Sequence, residues 1–372
     1  MKKILVCGMS QNLGGVECFL MNYYRNINRN KVQFDFLCNS ESCAFEEEIK
    51  HLGGKVYHVC ARSKNIYQFY KDVNEFFSNH AKDYDGIWVN KCMLNNIEFI
   101  KYAKRYNIPK RIIHAHNSNN MENTIKGKLQ GLLHYIHRRS IHKYATDFWA
   151  CSRDAGSWAF PKEIMKGENF RIIHNAIDSE KFRYNVDTRE LYRKRLGLTN
   201  SFVVGHVGRF QYQKNHEFLI DIFKSIYHKN SNAVLLLIGV GELEDKIKEK
   251  VHSLSLDNAV KFLGVRNDVA QLMQAMDVFV FPSLFEGLGI ALIEAQVAGL
   301  PSFTSTNVVP QEAKITNLLH YINLNESAIA WADTIVDSQA IHRELYVQAS
   351  MDYNIKSAAS KLELHFSNIC NK

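Results

Sequence analysis

Two glutamates with seven residues between them, Glu286 and Glu294, carry the sharpest chemical signal in this chain. They stand in FPSLFEGLGIALIEA, which continues from the apolar run VFVF. Glu286 falls in a turn and Glu294 one to two turns inside the helix expected to follow, so both carboxylates can face one site. A carboxylate accepts two hydroxyl hydrogens at once, which suits the vicinal hydroxyls of a ribose or a hexose. Gly287, Leu288 and Gly289 precede that helix, and the glycines leave its first amides open to a diphosphate. An unpaired charge inside IALIEAQVAGLP would be costly, which argues against Glu294 as ordinary solvated surface.

Further candidate segments also follow apolar runs. Gly208–Asn215 comes after VVGHV, where Arg209 as a fork and Lys214 as a point charge could meet one diphosphate. A solvated basic loop is the alternative reading of that segment alone. Gly239, after VLLLI, opens a second glycine loop suited to the edge of a nucleotide pocket. Near the start, Gly14 and Gly15 lie between a first strand and a helix, where paired glycines admit a phosphate. The spacing is not G-x-G-x-x-G, so the usual dinucleotide fingerprint is absent.

Positioning such segments at strand ends requires parallel sheets, whose strands read as short apolar runs separated by amphipathic helices. In the first half the expected strands are Ile4–Cys7, Val32–Cys38, Lys55–His58, Gly86–Asn90, Arg111–Ala115, Asp147–Cys151 and Phe170–Ile173. Helices are expected over Val16–Ile27, Ile66–Ala81, Asn95–Tyr106 and Thr124–Lys143. After a charge-dense stretch near Asp178–Thr199 the pattern restarts, with strands Phe202–Val207, Val234–Ile238, Val260–Leu263, Val278–Pro282 and Pro301–Thr304. A terminal helix is expected over Ile355–Ile369. The fold class is therefore α/β: two Rossmann-like, doubly wound domains facing across a cleft, with a C-terminal helix. Residues 1–185 form the first domain, 186–354 the second, and 355–372 a helix that packs back on the first.

At 372 residues the chain exceeds what one core usually organises. No apolar run is long enough to span a bilayer, and MKKILVCGM lacks the sustained apolar core of a signal peptide. A cytoplasmic location is expected. The 8 cysteines have no C-x-x-C pairing and read as reduced thiols. Charge is uneven: residues 1–180 hold 26 Lys+Arg against 18 Asp+Glu, and residues 181–372 hold 20 of each. A basic first half points to an anionic partner surface. The stretch Lys126–Lys143 could lie on anionic lipid or could bury its apolar side in the core; both readings stay open.

Glu286 and Glu294, with Gly208–Arg209, Lys214–Asn215, Gly14–Gly15 and Asn175–Ala176–Ile177–Asp178, resemble retaining glycosyltransferase family 4. The resemblance covers nearly the whole chain and is greatest to bacterial enzymes of capsular, exopolysaccharide and O-antigen assembly. It implies the GT-B fold and transfer of a hexose or N-acetylhexosamine from a nucleotide-diphosphate sugar, UDP-linked by family frequency, to a lipid-linked saccharide. Arg209 and Lys214 would grip the diphosphate, Glu294 the ribose hydroxyls, and Glu286 the transferred sugar. The base would rest near Val265 and Arg266, and amides at Gly287–Gly289 and Gly15 would complete the cradle. His116, two residues beyond His114 in RIIHAH, fits the family's histidine beside the reacting sugar. Retention implies that the departing phosphate accepts the acceptor's proton, with no carboxylate nucleophile on the enzyme. Two departures stand out: Gly289 replaces a frequent proline, and Ala176 a frequent glycine.

No cofactor and no metal are expected. The one Asp-x-Asp triplet, Asp83–Tyr84–Asp85, precedes a strand instead of ending one. Peripheral contact with the inner membrane face is expected, and nucleic acid is not expected as a partner. A nucleotide-sugar epimerase and a non-catalytic nucleotide-sugar-binding protein are the alternatives that share the architecture; an acceptor requirement separates the first and donor turnover the second.

Overall fold

The computed structural model describes residues 1–12, 14–120, 124–337, 343 and 353–369. The chain forms two units, Met1–Ala176 with Met351–Lys372, and Ile177–Ser350. In the first, seven strands are β1 Lys2–Cys7, β2 Val32–Cys38, β3 Val56–His58, β4 Gly86–Lys91, β5 Lys110–Ala115, β6 Asp147–Ala150 and β7 Phe170–Ile172. They form one sheet in the order β3-β2-β1-β4-β5-β6-β7, parallel at every pairing. The second unit holds β8 Phe202–Val207, β9 Ala233–Ile238, β10 Val260–Phe262, β11 Val278–Phe281, β12 Ser302–Ser305 and β13 Leu319–Ile322. Its parallel order is β10-β9-β8-β11-β12-β13.

Apolar runs such as VFVF and AVLLLI fit strands covered on both faces, and their residues are almost wholly buried. Each fully buried Leu, Ile or Phe contributes roughly 1.5–3 kcal/mol of transfer free energy. The order reverses between β1 and β4 in one sheet and between β8 and β11 in the other. Ligands in such sheets bind beyond the carboxyl ends of the strands at these switch points.

The helix Ile355–Ser367 belongs to the first unit. Asn354 caps it by accepting from the Lys356 and Ser357 amides. Its Phe366 packs edge-on or tilted against Phe34, Trp88 and Trp149 of the sheet, with ring centroids 5.6, 5.7 and 5.7 Å away. Glu363 pairs with Lys31 at 2.8 Å.

Several bounds differ from expectation for local reasons. The first unit ends at Ala176, not at 185. The link that follows is tied into the second unit: Gln274 Oε1 accepts from the Asn185 amide at 3.1 Å and its Nε2 donates to Phe182 O at 3.2 Å. The helix expected from Asn95 begins at Glu98, after Asn96 Oδ1 takes the Glu98 amide at 3.0 Å. Strand β13 was not expected; it is an edge strand in which only Leu319 is buried, so its apolar run is too short to read. The Asp83–Tyr84–Asp85 triplet sits at the amino end of β4. There Asp85 accepts the Lys3 amide at 2.8 Å and Tyr84 donates to Asp35 at 3.1 Å. Among the described residues, no helix is long and apolar enough to cross a membrane.

Candidate active site

In the second unit the loops after β8, β9 and β10 are joined backbone to backbone. Gly208 N–H donates to Ile238 O at 3.0 Å, Phe210 N–H to Val240 O at 3.2 Å, and Gly239 N–H to Gly264 O at 2.9 Å. Gly239 has φ +134°, and a Cβ there would lie 2.2 Å from Gly208 O. A Cβ at Gly241 would lie 2.4 Å from Phe210 O. Only glycine permits this approach. It places Gly208, Arg209, Gly239 and the Gly264–Arg266 turn together at one end of three adjacent strands. Val265 is exposed, and Arg266 is held by Asp268 through contacts of 2.8 and 2.7 Å. The guanidinium of half-buried Arg209 has no partner among the described residues.

The loop after β8 is also stitched to the segment after β11. Gln213 Nε2 donates to Phe285 O at 2.9 Å, Leu284 N–H to Gln213 O at 2.9 Å, and Asn215 Nδ2 to Pro282 O at 3.1 Å. Asn215 takes the left-handed conformation at φ 54°, which asparagine tolerates better than most residues. The outcome is an ion pair: Lys214 Nζ lies 2.6 Å from Glu286 Oε1, both side chains nearly buried, with the ammonium 4.4 Å from the Phe281 ring centroid.

Below this loop lies an aromatic floor that the sequence does not announce. His216 stacks on Phe210 at 4.2 Å, His206 lies 4.7 Å from His216, and His206 Nδ1 donates to Val280 O at 2.8 Å. A Cβ on Gly208 would meet His206 Nε2 at 2.8 Å, so the floor also requires glycine there. Burial pushes His206 down to about 4 and His216 to about 2, which keeps both neutral beside Lys214.

Gly287, Leu288 and Gly289 lead into the helix Ile290–Val297, with Gly289 in the left-handed conformation at φ 81° as its N-cap. Proline could not take that φ, which accounts for glycine at this position. Glu294 lies half-buried inside the helix. Burial raises its carboxyl to about 8, against the opposing field of Lys181, so it is largely protonated at neutral pH. A protonated carboxyl both donates and accepts.

The first unit carries a second cluster at the ends of β1, β4 and β5. Gly8, at φ +126°, lies against Asn90, where a Cβ would come within 2.7 Å of the Asn90 Cβ. Asn90 Nδ2 donates to Cys7 O and Trp88 O, which fixes its amide and leaves Oδ1 to accept from His116 Nε2 at 2.8 Å. His116 Nδ1 is then the bare acceptor. His114 and His116 share one side of the strand, rings 4.1 Å apart, as alternation requires. His114 is fully buried and His116 half-buried; burial lowers His116 to about 3. Gly14 caps the helix Gly15–Asn26 in an extended conformation, and a Cβ on Gly15 would meet nothing within 4 Å. Buried Glu17 braces the turn, accepting from Ser10 Oγ at 2.6 Å and Ser10 N–H at 3.1 Å. Sequence reasoning missed Asn90, Glu17, His206 and His216. Asn90 ends an apolar strand, and that position was the only available signal.

Two parallel sheets with helices between their strands, and glycine loops, paired charges and a helix start at strand ends, define a doubly wound α/β protein of two units. Comparison with known proteins narrows the class. Residues 188–335 match the family described as Glycosyl transferases group 1. EpsF of Bacillus subtilis (strain 168), a glycosyltransferase by name, is 33% identical over 347 residues, covering 92% of this chain and 89% of its own. An Escherichia coli UDP-Gal:alpha-D-GlcNAc-diphosphoundecaprenol alpha-1,3-galactosyltransferase is 39% identical over 138 residues, 36% of each chain. The crystal structure of Anabaena Alr3699/HepE in complex with UDP and glucose superposes with a TM-score of 0.74 at 19% identity, over 99% of this chain and 97% of that one. The chain belongs to the group 1 glycosyltransferases and has their GT-B fold.

Proposed function

We propose that this chain is a retaining, family 4-type glycosyltransferase that moves a hexose or N-acetylhexosamine from a UDP-sugar to a lipid-linked saccharide in bacterial surface-polysaccharide assembly. The carrying observation is the Lys214–Glu286 pair held beside Arg209 and the joined glycine loops. A departing diphosphate gains negative charge in the transition state, and cations and amides already in place stabilise that charge without reorganising. In this reading Arg209 and Lys214 bind the diphosphate, while Glu286 orients Lys214 and accepts a hydroxyl of the sugar. Glu294, neutral at pH 7, binds the ribose as donor and acceptor. The peptide units of Gly208, Gly239 and Gly287–Gly289 line the phosphates, and Val265 and Arg266 flank the base. His116 binds a sugar hydroxyl through Nδ1; its low pKa fits a positioning role better than that of a base at neutral pH. Gly14 and Gly15 leave room for a ligand at their helix start.

The two cations supply charge that a metal supplies elsewhere, and Asp83 and Asp85 are engaged at the opposite strand ends, so turnover without a metal is part of the proposal. The named substrates of the E. coli relative and the ligands of HepE support the UDP donor and the lipid-linked acceptor.

A panel of nucleotide-sugars, scored by thermal shift and by acceptor-free hydrolysis with and without EDTA, tests the reading. One selective donor and unchanged rates in EDTA are expected. Silence across the panel, with Arg209→Ala behaving as wild type, overturns the donor site. Loss in EDTA restored by magnesium or manganese overturns the metal-free mechanism.

A further inference from the structure

The helix Ile125–Ser140 is inverted relative to an ordinary surface helix. Its buried residues are Gly127, Gly131 and His134. The glycines let the backbone come close: a Cβ on Gly131 would lie 2.9 Å from Asn120 Nδ2. His134 is fastened at both nitrogens, accepting from Leu94 N–H at 3.0 Å and reaching Trp158 O at 3.0 Å. Arg138 donates to Phe160 O at 2.8 Å.

At 3.6 residues per turn, the opposite face carries Ile125, Leu129, Leu132 and Ile136, flanked by Tyr135. These are 88, 61, 56, 54 and 51% exposed. A scattered exposed apolar residue needs no explanation, but an aligned stripe over about three turns does. Basic residues border it. Lys126, Lys128 and Arg139 are exposed, His142 and Lys143 follow the helix, and residues 124–143 contain no Asp or Glu. A second copy of this chain would bring the same positive charges together. An anionic, apolar surface satisfies both halves of the pattern.

We infer that the helix Ile125–Ser140 is a membrane-docking element that lays Ile125, Leu129, Leu132 and Ile136 into the headgroup–acyl boundary of an anionic bilayer, with Lys126, Lys128 and Arg139 on the lipid phosphates. Tyr135 fits the same boundary, with an apolar ring and a hydroxyl that stays wet. The lipid-linked acceptor of the proposed function gives this docking its use, and to that extent the inference rests on that reading.

The test is co-sedimentation of the full chain with vesicles of phosphatidylglycerol and phosphatidylcholine, against pure phosphatidylcholine. Binding to the anionic vesicles is expected to be at least about tenfold tighter and to weaken with salt. Leu129→Asp with Ile136→Asp removes it, and each neutralisation among Lys126→Gln, Lys128→Gln and Arg139→Gln weakens it roughly fivefold. All these side chains are exposed, so the variants keep the wild-type melting temperature. The inference is overturned if the wild type ignores anionic vesicles, or if the variants bind as it does. It is equally overturned if Leu129→Asp with Ile136→Asp dissolves a lipid-free dimer while vesicle binding is absent. Vesicle binding without any donor response upholds the docking helix and removes the donor reading; the reverse result overturns docking alone.

Discussion

Lys214→Met should destabilise the protein through Glu286. The pair is 2.6 Å apart and nearly buried, so removing the ammonium leaves a carboxylate in a poorly solvated place. Breaking such a pair from one side costs about 3–5 kcal/mol. The variant should therefore lose about 3–5 kcal/mol, or roughly 6–20 °C in melting temperature for a unit of this size. Adding Glu286→Gln to Lys214→Met removes the buried negative charge as well and should restore most of the stability. Arg209→Ala makes the contrast: its guanidinium has no partner among the described residues, so stability should move by less than about 0.5 kcal/mol while turnover collapses. Thermal unfolding, with donor turnover measured alongside, checks both. A Lys214→Met protein melting within a degree of wild type would refute this account of the pair.

Other positions give independent tests. Burial raises Glu294 to about 8, so the folded state resists its ionisation. Its contribution to stability is therefore full below the ordinary glutamate range and lost as pH climbs to about 8. If the neutral carboxyl binds the ribose, donor KM should also rise as pH passes 8, and Glu294→Gln should flatten both profiles; a wild-type KM unchanged from pH 6 to 9 counts against it. Gly239→Ala puts a methyl group 2.2 Å from Gly208 O at φ +134°, so the joined loops must part. The expected result is at least about 1–3 kcal/mol of lost stability and loss of UDP binding by calorimetry; wild-type affinity would show that the loop approach does not shape the site.

Much of this protein was legible in order along the chain. Apolar runs located twelve of the thirteen strands among the described residues, because a parallel strand covered on both faces must be apolar throughout. Glycines after β8, β9 and β11 marked the loops at strand ends, because few other residues allow backbones to meet or φ to turn positive. The edge strand β13 escaped, since its outward residues need not be apolar. What depends on distant partners stayed hidden. Lys214 and Glu286 lie 72 residues apart, and read along the chain they have separate tasks on a ligand; folding pairs them with each other. Asn90 and His116 lie 26 residues apart, and only the register of β4 with β5 sets the tautomer of the histidine. Glu294 was legible as an unusual charge in an apolar helix, yet its protonation depends on solvent exclusion by neighbours that no local pattern specifies. In Ile125–Ser140 the sequence contains both a small-residue stripe and an apolar stripe, and either could have faced inward. The close approach allowed by Gly127 and Gly131, with His134 bonded at both nitrogens, turned the apolar stripe outward, because burial is decided by the surface a helix meets and not by the helix alone.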